Sequence, residues 1–212
     1  MTHALRAAGL PCAALLACLV ISGSAFANEK PAEPAQASQK TTAADTARAE
    51  RLARGKYLVT TAGCHDCHTP LIMTPNGPDR DWSRMLSGHP ESVVITEAPK
   101  VPEGGPWLFV AAGTTTAHSG PWGVSFTANL TPDPETGLGK WTFQNFKDTI
   151  RTGRHMGRGR PVLPPMPIPM YKHFTDEDLG LIFGYLQSIP AVKNRVPEPL
   201  PPAEPMNAPA AH

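Results

Sequence analysis

A five-residue motif, Cys64-His65-Asp66-Cys67-His68, constrains this 212-residue chain more than any other feature. Two cysteines separated by two residues and followed at once by histidine are what covalent attachment of haem c requires. Each thiol adds to one vinyl group of the porphyrin, and the histidine is then held beneath the iron. The motif therefore predicts one covalently attached haem c, with thioether links from Cys64 and Cys67 and with His68 as the proximal iron ligand.

Two other kinds of site use similar residues. A structural zinc site needs four Cys or His ligands at suitable spacing, and Cys64 and Cys67 are the only cysteines beyond the N-terminal segment. A thioredoxin-like CxxC motif belongs to a βαβ setting, of which the sequence shows no sign. The motif favours haem over both alternatives.

The N-terminus has the three parts of a secretory signal. Residues 1–6 carry positive charge, residues 7–22 are almost wholly apolar, and Ala25-Phe26-Ala27 is a small-x-small cleavage site. The apolar run is too short to span a bilayer comfortably. We therefore predict a signal peptide over residues 1–27, export to the bacterial periplasm, and no membrane span after cleavage.

The remaining cysteines agree with this interpretation. Cys18 loosely resembles a lipoprotein site, but the apolar run continues past it. Cleavage after Ala27 would remove both Cys12 and Cys18 and leave only the motif pair, so an exported chain of this kind has no thiols for a disulfide framework.

Proline is frequent, at 25 residues, and it clusters. Residues 28–46 are an Ala/Pro-rich leader without apolar periodicity, and residues 197–212 are a Pro/Ala-rich tail, so both are predicted to be disordered. The monohaem domain is predicted over residues 47–196. The formal net charge of +1 gives no global basic field that would point to nucleic acid.

Three helices are predicted within this domain from apolar spacing and capping residues. The first covers residues 47–62, leads directly to the motif, and contains Gly55, a position where a missing side chain often lets another backbone approach. The second begins after Thr142 and ends at Gly153. The third begins at the capping box Thr175-Asp176-Glu177-Asp178 and is the clearest amphipathic helix in the chain.

Residues 69–128 are poor in helix signals and rich in Gly, Pro, Thr and Trp. This composition predicts a long irregular loop insertion, with short β segments around residues 93–96 and 107–111. Connections of such length are usually functional or packed on a cofactor. The side chains expected to cover the haem, although ordinary core packing explains each of them equally well, are Trp82, Met85, Leu86, Trp107, Phe109 and Trp122.

A sixth iron ligand, or its absence, separates an electron carrier from a catalyst. Met166 has the best setting for this role, because the prolines of the run Leu163–Met170 exclude a helix or central strand and stiffen the backbone. The alternative for each methionine is a side chain that fills a gap in the core. The candidates downstream of the motif are Met156, Met166 and Met170, followed by His118, His155 and His173.

Together these features resemble the class I cytochrome c fold, and more closely the cytochrome c domains of bacterial membrane-associated alcohol and sugar dehydrogenases. The resemblance covers residues 48–196. It rests on the haem motif, on the turn Asn129–Asp133 with the glycines after it, on the proline-rich run around Met166 (the Met-Pro loop), and on the helix that begins at Thr175 (the closing helix). It implies an all-α fold in which the first and last helices cross, giving Gly55 and Tyr185 a packing role. In that family the methionine nine residues before the Ser/Thr cap of the closing helix is the axial ligand, which here is Met166.

With His68 and Met166 as ligands the iron stays six-coordinate in both redox states, which predicts a one-electron carrier without side-chain catalysis. It would pass electrons between a dehydrogenase or respiratory complex and a terminal acceptor. Two alternatives stay open. One is a haem enzyme or a gas or redox sensor with an open or displaceable distal site, in which His155 acts as acid, base or ligand. The other is a fixed electron-transfer subunit of a dehydrogenase complex.

Residues 140–172 are strongly basic and contain a single acid, Asp148. This segment either steers an acidic redox partner, or is a solvated face, or supplies partners for the haem propionates through Arg154, His155, Arg158 or Arg160. No dinucleotide, P-loop or hydrolase motif is present. The basic residues of the segment are Lys140, Lys147, Arg151, Arg154, Arg158, Arg160 and Lys172.

Overall fold

The computed structural model describes residues 42–99 and 105–202, and these residues form five α-helices and five short β-strands. The predicted signal peptide, most of the leader and the end of the tail lie outside the described residues. The helices are α1 (Ala43–Thr61), α2 (Cys64–His68), α3 (Phe143–Thr152), α4 (Ile168–Tyr171) and α5 (Asp176–Leu186). The strands are β1 (Leu71–Thr74), β2 (Gly77–Arg80), β3 (Val110–Ala111), β4 (Ala117–Gly120) and β5 (Gly123–Phe126).

Helix α1 begins at Ala43, earlier than the predicted start at residue 47. Its start is stabilised by a capping box, in which the Thr42 hydroxyl accepts from the Asp45 backbone N–H at 3.1 Å and the Asp45 carboxylate accepts from the Thr42 backbone N–H at 3.1 Å. These reciprocal bonds satisfy two of the backbone donors that a helix start leaves unpaired. The last residues of the expected leader are therefore helical.

Helices α1 and α5 cross at very close range at Gly55. A Cβ atom at this position would lie 2.2 Å from the Leu181 carbonyl oxygen and 2.8 Å from the Tyr185 Cβ, so only glycine permits the approach. The packing role expected for Gly55 and Tyr185 is confirmed. Around this crossing lies the main apolar core, formed by Leu58, Val59, Leu86, Leu138, Phe146, Ile150, Leu179, Leu181, Ile182, Tyr185, Leu186 and Ile189.

Helices α3 and α5 begin at the predicted caps. The Thr142 hydroxyl accepts from the Asn145 N–H at 3.1 Å, and the Thr175 hydroxyl accepts from the Asp178 N–H at 3.0 Å. Helix α3 ends at Gly153, whose φ of +67° lies in the left-handed region that glycine adopts without strain. Both predicted helix starts and the predicted end of α3 are confirmed.

The proline-rich run departs from the predicted extended loop at its end. Helix α4 begins at Ile168 and includes Pro169 in its first turn, where a missing N–H costs nothing because helix-start donors have no intrahelical partner. Residues 163–167 are free of helix and strand, as predicted.

The expectation of an all-α fold is not met, because residues 71–126 contain two antiparallel sheets. Strands β1 and β2 form a hairpin, and β3, β4 and β5 form a three-stranded sheet in that order. Gly77 and Gly123, with φ of +106° and +90°, allow the tight connections before β2 and β5. The β segment predicted around 107–111 corresponds to β3, whereas residues 93–96 form no strand.

Asn194, buried in the segment that follows α5, anchors the insertion to the helical part. Its amide oxygen accepts from the Arg84 guanidinium at 2.8 Å and from the Glu91 N–H at 2.9 Å. Its amide nitrogen donates to the carbonyls of Ser87 and His89, both at 2.8 Å. One buried side chain is thus hydrogen-bonded to residues more than one hundred positions earlier in the sequence.

Among the described residues, no helix is both long and apolar enough to cross a membrane.

Candidate haem site

The cysteine–histidine motif forms the short helix α2 at the end of α1, and it borders a cavity of about 500 Å³. Gly63 separates the two helices, and its φ of +72° turns the chain so that Cys64, Cys67 and His68 all line the cavity. Both thiols are partly buried and unbonded to each other. Burial raises the pKa of the Cys64 thiol to about 11 and that of Cys67 in the same direction, so both are neutral thiols at neutral pH.

His68 is held in an orientation suited to a metal ligand. Its side chain is buried, with the residue 8% exposed, and its Nδ1 lies 2.7 Å from the carbonyl oxygen of Ala128, to which it donates. This bond selects the tautomer that leaves the Nε2 lone pair free, and no described residue hydrogen-bonds to Nε2. Burial lowers the pKa of His68 to about 4, so the ring is neutral and able to coordinate at neutral pH.

The Ala128 carbonyl is itself fixed by its neighbours in the chain. Thr127 donates its N–H to the Thr116 carbonyl at 2.9 Å and accepts from the His89 N–H at 3.0 Å. The buried Asn129 side chain donates to the Val192 carbonyl at 2.8 Å. The insertion therefore supplies the acceptor that orients the predicted proximal histidine, a role that no local sequence pattern revealed.

Met166 lines the same cavity as the motif, and the other two methionine candidates do not. Met156 is 37% exposed and Met170 is 71% exposed. Of the histidine candidates, only His155 lines the cavity, where it packs edge-on against Trp141 at a ring distance of 5.0 Å. His118 is buried in β4 away from the cavity lining, and His173 is exposed.

The apolar cover of the cavity differs from the prediction, since none of the six side chains expected to cover the haem lines it. Leu86 belongs to the main core and Met85 packs against it, Trp107 is exposed, and Trp82 packs edge-on against His65 at a ring distance of 5.3 Å. Composition marked the right residue types but not which of them turn toward the site. Besides Met166, the large apolar side chains that line the cavity are Phe126, Leu130, Leu138, Trp141, Phe146, Ile150, Leu163, Ile168, Tyr171, Phe174, Leu179, Ile182 and Leu186.

Several charged side chains also line the cavity. Arg160 does so as one of the predicted propionate partners, and its guanidinium lies 3.2 Å from the carboxylate of Glu198. Arg154 and Arg158, also predicted for this role, do not line the cavity. Arg195 does, although sequence reasoning did not select it, because nothing in its spacing distinguishes it from a surface residue.

Two further basic residues of the 140–172 segment serve the fold. Arg151 on α3 lies 2.7 Å from the Asp176 carboxylate and donates to the Phe174 carbonyl at 2.8 Å, while Lys147 lies 3.1 Å from the same carboxylate. These contacts join α3 to the start of α5. Lys140, Arg154, Arg158 and Lys172 are exposed.

The start of the predicted disordered tail is part of the cavity wall. Residues 195–199 line the cavity, and Leu200 forms two backbone hydrogen bonds with Val124 of β5, at 2.9 and 3.0 Å. A Cβ atom at Gly123 would lie 2.0 Å from the Leu200 carbonyl oxygen, so glycine is needed beside this contact. The first residues of the predicted tail, 197–200, therefore contact the rest of the protein, and the prolines beside Leu200 are compatible with an edge pairing of this kind.

The residues at the cavity fit the group that the motif predicts. Two neutral thiols, a histidine with one nitrogen engaged and the other free, and a thioether face one largely apolar space, which is the donor set of a covalently bound haem c. Within the two described ranges, no group of three or more His, Cys, Asp or Glu side chains converges as a metal-ion site would require.

Comparison with known proteins identifies cytochrome subunits of dehydrogenases as relatives, while no protein-family model matches the chain. The chain is 26% identical over 196 residues to the fructose dehydrogenase cytochrome subunit of Gluconobacter japonicus, covering 90% of this chain and 31% of the relative. It is 35% identical over 65 residues to the cytochrome c subunit of the quinone-dependent alcohol dehydrogenase of Gluconacetobacter polyoxogenes, covering 31% and 14%. It is also 34% identical over 65 residues to the gluconate 2-dehydrogenase cytochrome c subunit of Pantoea cypripedii, again covering 31% and 14%.

The resemblance to dehydrogenase cytochrome subunits that the motifs predicted is thereby confirmed. The chain spans less than a third of the length of each of these relatives.

Proposed function

We propose that this chain is a c-type cytochrome of the class I fold that carries one haem c and transfers single electrons. The observation that carries the proposal is the cavity shared by Cys64, Cys67, His68 and Met166, in which Ala128 already orients the histidine. The similarity to cytochrome c subunits of dehydrogenases supports it independently.

In this proposal Cys64 and Cys67 would form the thioether links, and His68 and Met166 would hold the iron. Bound haem supplies a one-electron ferric–ferrous couple, and a thioether ligand favours the ferrous form and so raises the potential. The protein contributes fixed ligands and a largely apolar enclosure. Since His68 is neutral and held by Ala128, it needs neither a proton loss nor a reorientation before it coordinates.

No side chain is assigned a catalytic role, because electron transfer requires positioned ligands rather than an acid, a base or a nucleophile. The partners are redox proteins, with a dehydrogenase as the donor or acceptor, as the names of the relatives suggest. Lys140, Arg154, Arg158 and Lys172 are exposed positive charges suited to steer an acidic partner, an encounter that weakens as salt rises. Export to the periplasm after cleavage at Ala27 completes the proposal, and the N-terminal mass of the purified protein tests it.

The ligand assignment is tested with the visible spectrum of the purified haem-loaded protein, oxidised and reduced, before and after carbon monoxide. We expect no spectral change with carbon monoxide in the natural protein, because both axial positions are filled. Met166→Ala should bind carbon monoxide while retaining the covalent haem. Met170→Ala is the matched control, since Met170 is exposed and outside the cavity.

Rapid stoichiometric carbon monoxide binding by the natural protein would contradict the six-coordinate carrier and favour an enzyme or a sensor. An unchanged spectrum in Met166→Ala would place the sixth ligand elsewhere. Co-purification of a large subunit with the natural chain would identify a fixed subunit of a complex rather than a free carrier.

A further inference from the structure

The backbone of the Met-Pro loop has few hydrogen-bond donors with which to hold its own position. Pro164, Pro165 and Pro167 lack an N–H, so Leu163 and Met166 carry the only backbone donors of residues 163–167. Neither of these two N–H groups has a hydrogen-bond acceptor among the described residues. The loop therefore depends on packing and on the bonds that its carbonyl groups accept from elsewhere.

Ser125 supplies such a bond from the insertion. Its hydroxyl donates to the Pro164 carbonyl at 2.6 Å, two residues before Met166. The His118 carbonyl also lies within reach at 3.3 Å, but a hydroxyl has one proton and the shorter contact is the stronger. From the described residues, no other hydrogen bond reaches the stretch Leu163–Pro165.

The position of Ser125 is itself well determined. The residue is 8% exposed, lies in β5 opposite His118 of β4, and borders the cavity. On the other edge of β5, Val124 pairs with Leu200. Because β5 is bonded on both sides, it is a rigid support for a loop that cannot support itself.

We infer that Ser125 is a positioning residue for the Met166 thioether, and that the insertion thereby sets the strength of the sixth iron ligand. The inference rests on the proposed function, since it takes Met166 as that ligand. Loss of the Ser125 bond frees the loop to populate conformations in which the sulfur is off the iron. An exogenous ligand then competes more easily, and the midpoint potential falls because the thioether stabilises the ferrous form.

The test compares Ser125→Ala with Ser125→Thr, which keeps the hydroxyl, and with Ser119→Ala. Ser119 is a matched control, because it is 5% exposed, lies in the neighbouring strand β4, and donates to the Pro99 carbonyl at 3.3 Å rather than to the Met-Pro loop. The haem-loaded proteins are titrated with imidazole in the ferric state. The far-red absorption band of an iron–thioether bond and the midpoint potential are measured on the same samples.

We expect Ser125→Ala to bind imidazole about three- to tenfold more tightly than the natural protein, the range set by one net hydrogen bond, with a weaker far-red band and a lower potential. Ser125→Thr and Ser119→Ala should keep the natural values. Equal imidazole affinities and potentials for Ser125→Ala and Ser119→Ala would overturn the inference. If Ser125→Ala fails to fold, Ser125→Cys replaces it, because cysteine has a similar size but is a weak hydrogen-bond donor. Its imidazole affinity and midpoint potential are then compared with those of Ser119→Ala in the same way.

Met166→Ala separates this failure from a failure of the proposed function. If Met166→Ala changes the far-red band and Ser125→Ala does not, only the positioning role is wrong. If Met166→Ala itself leaves the band unchanged, the ligand assignment is wrong.

Discussion

Replacement of Gly55 by alanine tests the close crossing of α1 and α5. The new Cβ would lie 2.2 Å from the Leu181 carbonyl oxygen and 2.8 Å from the Tyr185 Cβ, whereas ordinary contacts of a Cβ begin near 3.4 Å. The helices must therefore separate by more than 1 Å. The nearest atoms are backbone and Cβ atoms, so no flexible side chain can move aside.

Two opposing effects decide the size of the change in unfolding free energy. Alanine in place of glycine favours a helix interior by about 1 kcal/mol. Overpacking of a close-packed core costs about 1–3 kcal/mol, and the parting of two backbones lies at the upper end, because every contact along the crossing is weakened. We expect a net destabilisation of about 2 kcal/mol.

Gly184→Ala is the matched control within α5. Gly184 is exposed, and a Cβ there would meet nothing within 4 Å, so the substitution should stabilise the protein by up to about 1 kcal/mol. Urea unfolding of the haem-loaded variants, followed by far-ultraviolet circular dichroism, measures both changes. A Gly55→Ala variant as stable as the natural protein would refute the close crossing as the reason for this glycine.

Three further predictions concern stability. Asn194→Ala should lower the unfolding free energy by about 3 kcal/mol in urea, because two buried carbonyls and two partly buried donors lose their partner, and a loss below about 1 kcal/mol would contradict that reason. Hydrogen bonds from Arg151, and to a lesser extent from Lys147, lower the pKa of Asp176. The ionised carboxylate therefore stabilises the fold at neutral pH, and this contribution disappears as pH falls through the lowered pKa. Asp176→Asn should therefore be less stable than the natural protein at neutral pH and equally stable in acid, and a pH-independent difference would refute the ionic contribution. Cys64→Ala/Cys67→Ala, purified without haem, leaves the largely apolar cavity of about 500 Å³ without the group that would fill it, so the close packing of the helices around it is lost. We expect no cooperative calorimetric transition, and a transition at the natural midpoint would contradict this.

Local patterns predicted the parts of the site that depend on a few consecutive residues. The starts of α3 and α5 were readable because a capping hydroxyl and its N–H partner lie three residues apart. The choice of Met166 over Met156 and Met170 came from the prolines beside it, and Met166 alone of the three lines the cavity. Its ligation of iron stays a prediction.

The insertion shows where such patterns stop being informative. Its strands are two to four residues long, too short for an alternation of apolar and polar residues to be recognised. Asn76-Gly77, at the start of β2, is a dipeptide typical of a β-hairpin turn, and it was the local signal in this region from which the β1–β2 hairpin could have been predicted. The aromatic residues of the insertion that were expected to cover the haem, Trp82, Trp107, Phe109 and Trp122, do not line the cavity.

The sequence by itself predicted the haem chemistry that we propose for this protein, because covalent attachment of a haem depends on the order of two thiols and an imidazole within five residues. It also determined the main helices, since caps and apolar spacing act within one or two turns. Only the tertiary structure decided that Ala128 orients His68, that Ser125 holds the Met-Pro loop, and that Asn194 joins the insertion to the helical core. These contacts join residues 39 to 107 positions apart. They form only when distant parts of the chain pack together, so no pattern of neighbouring residues predicts them.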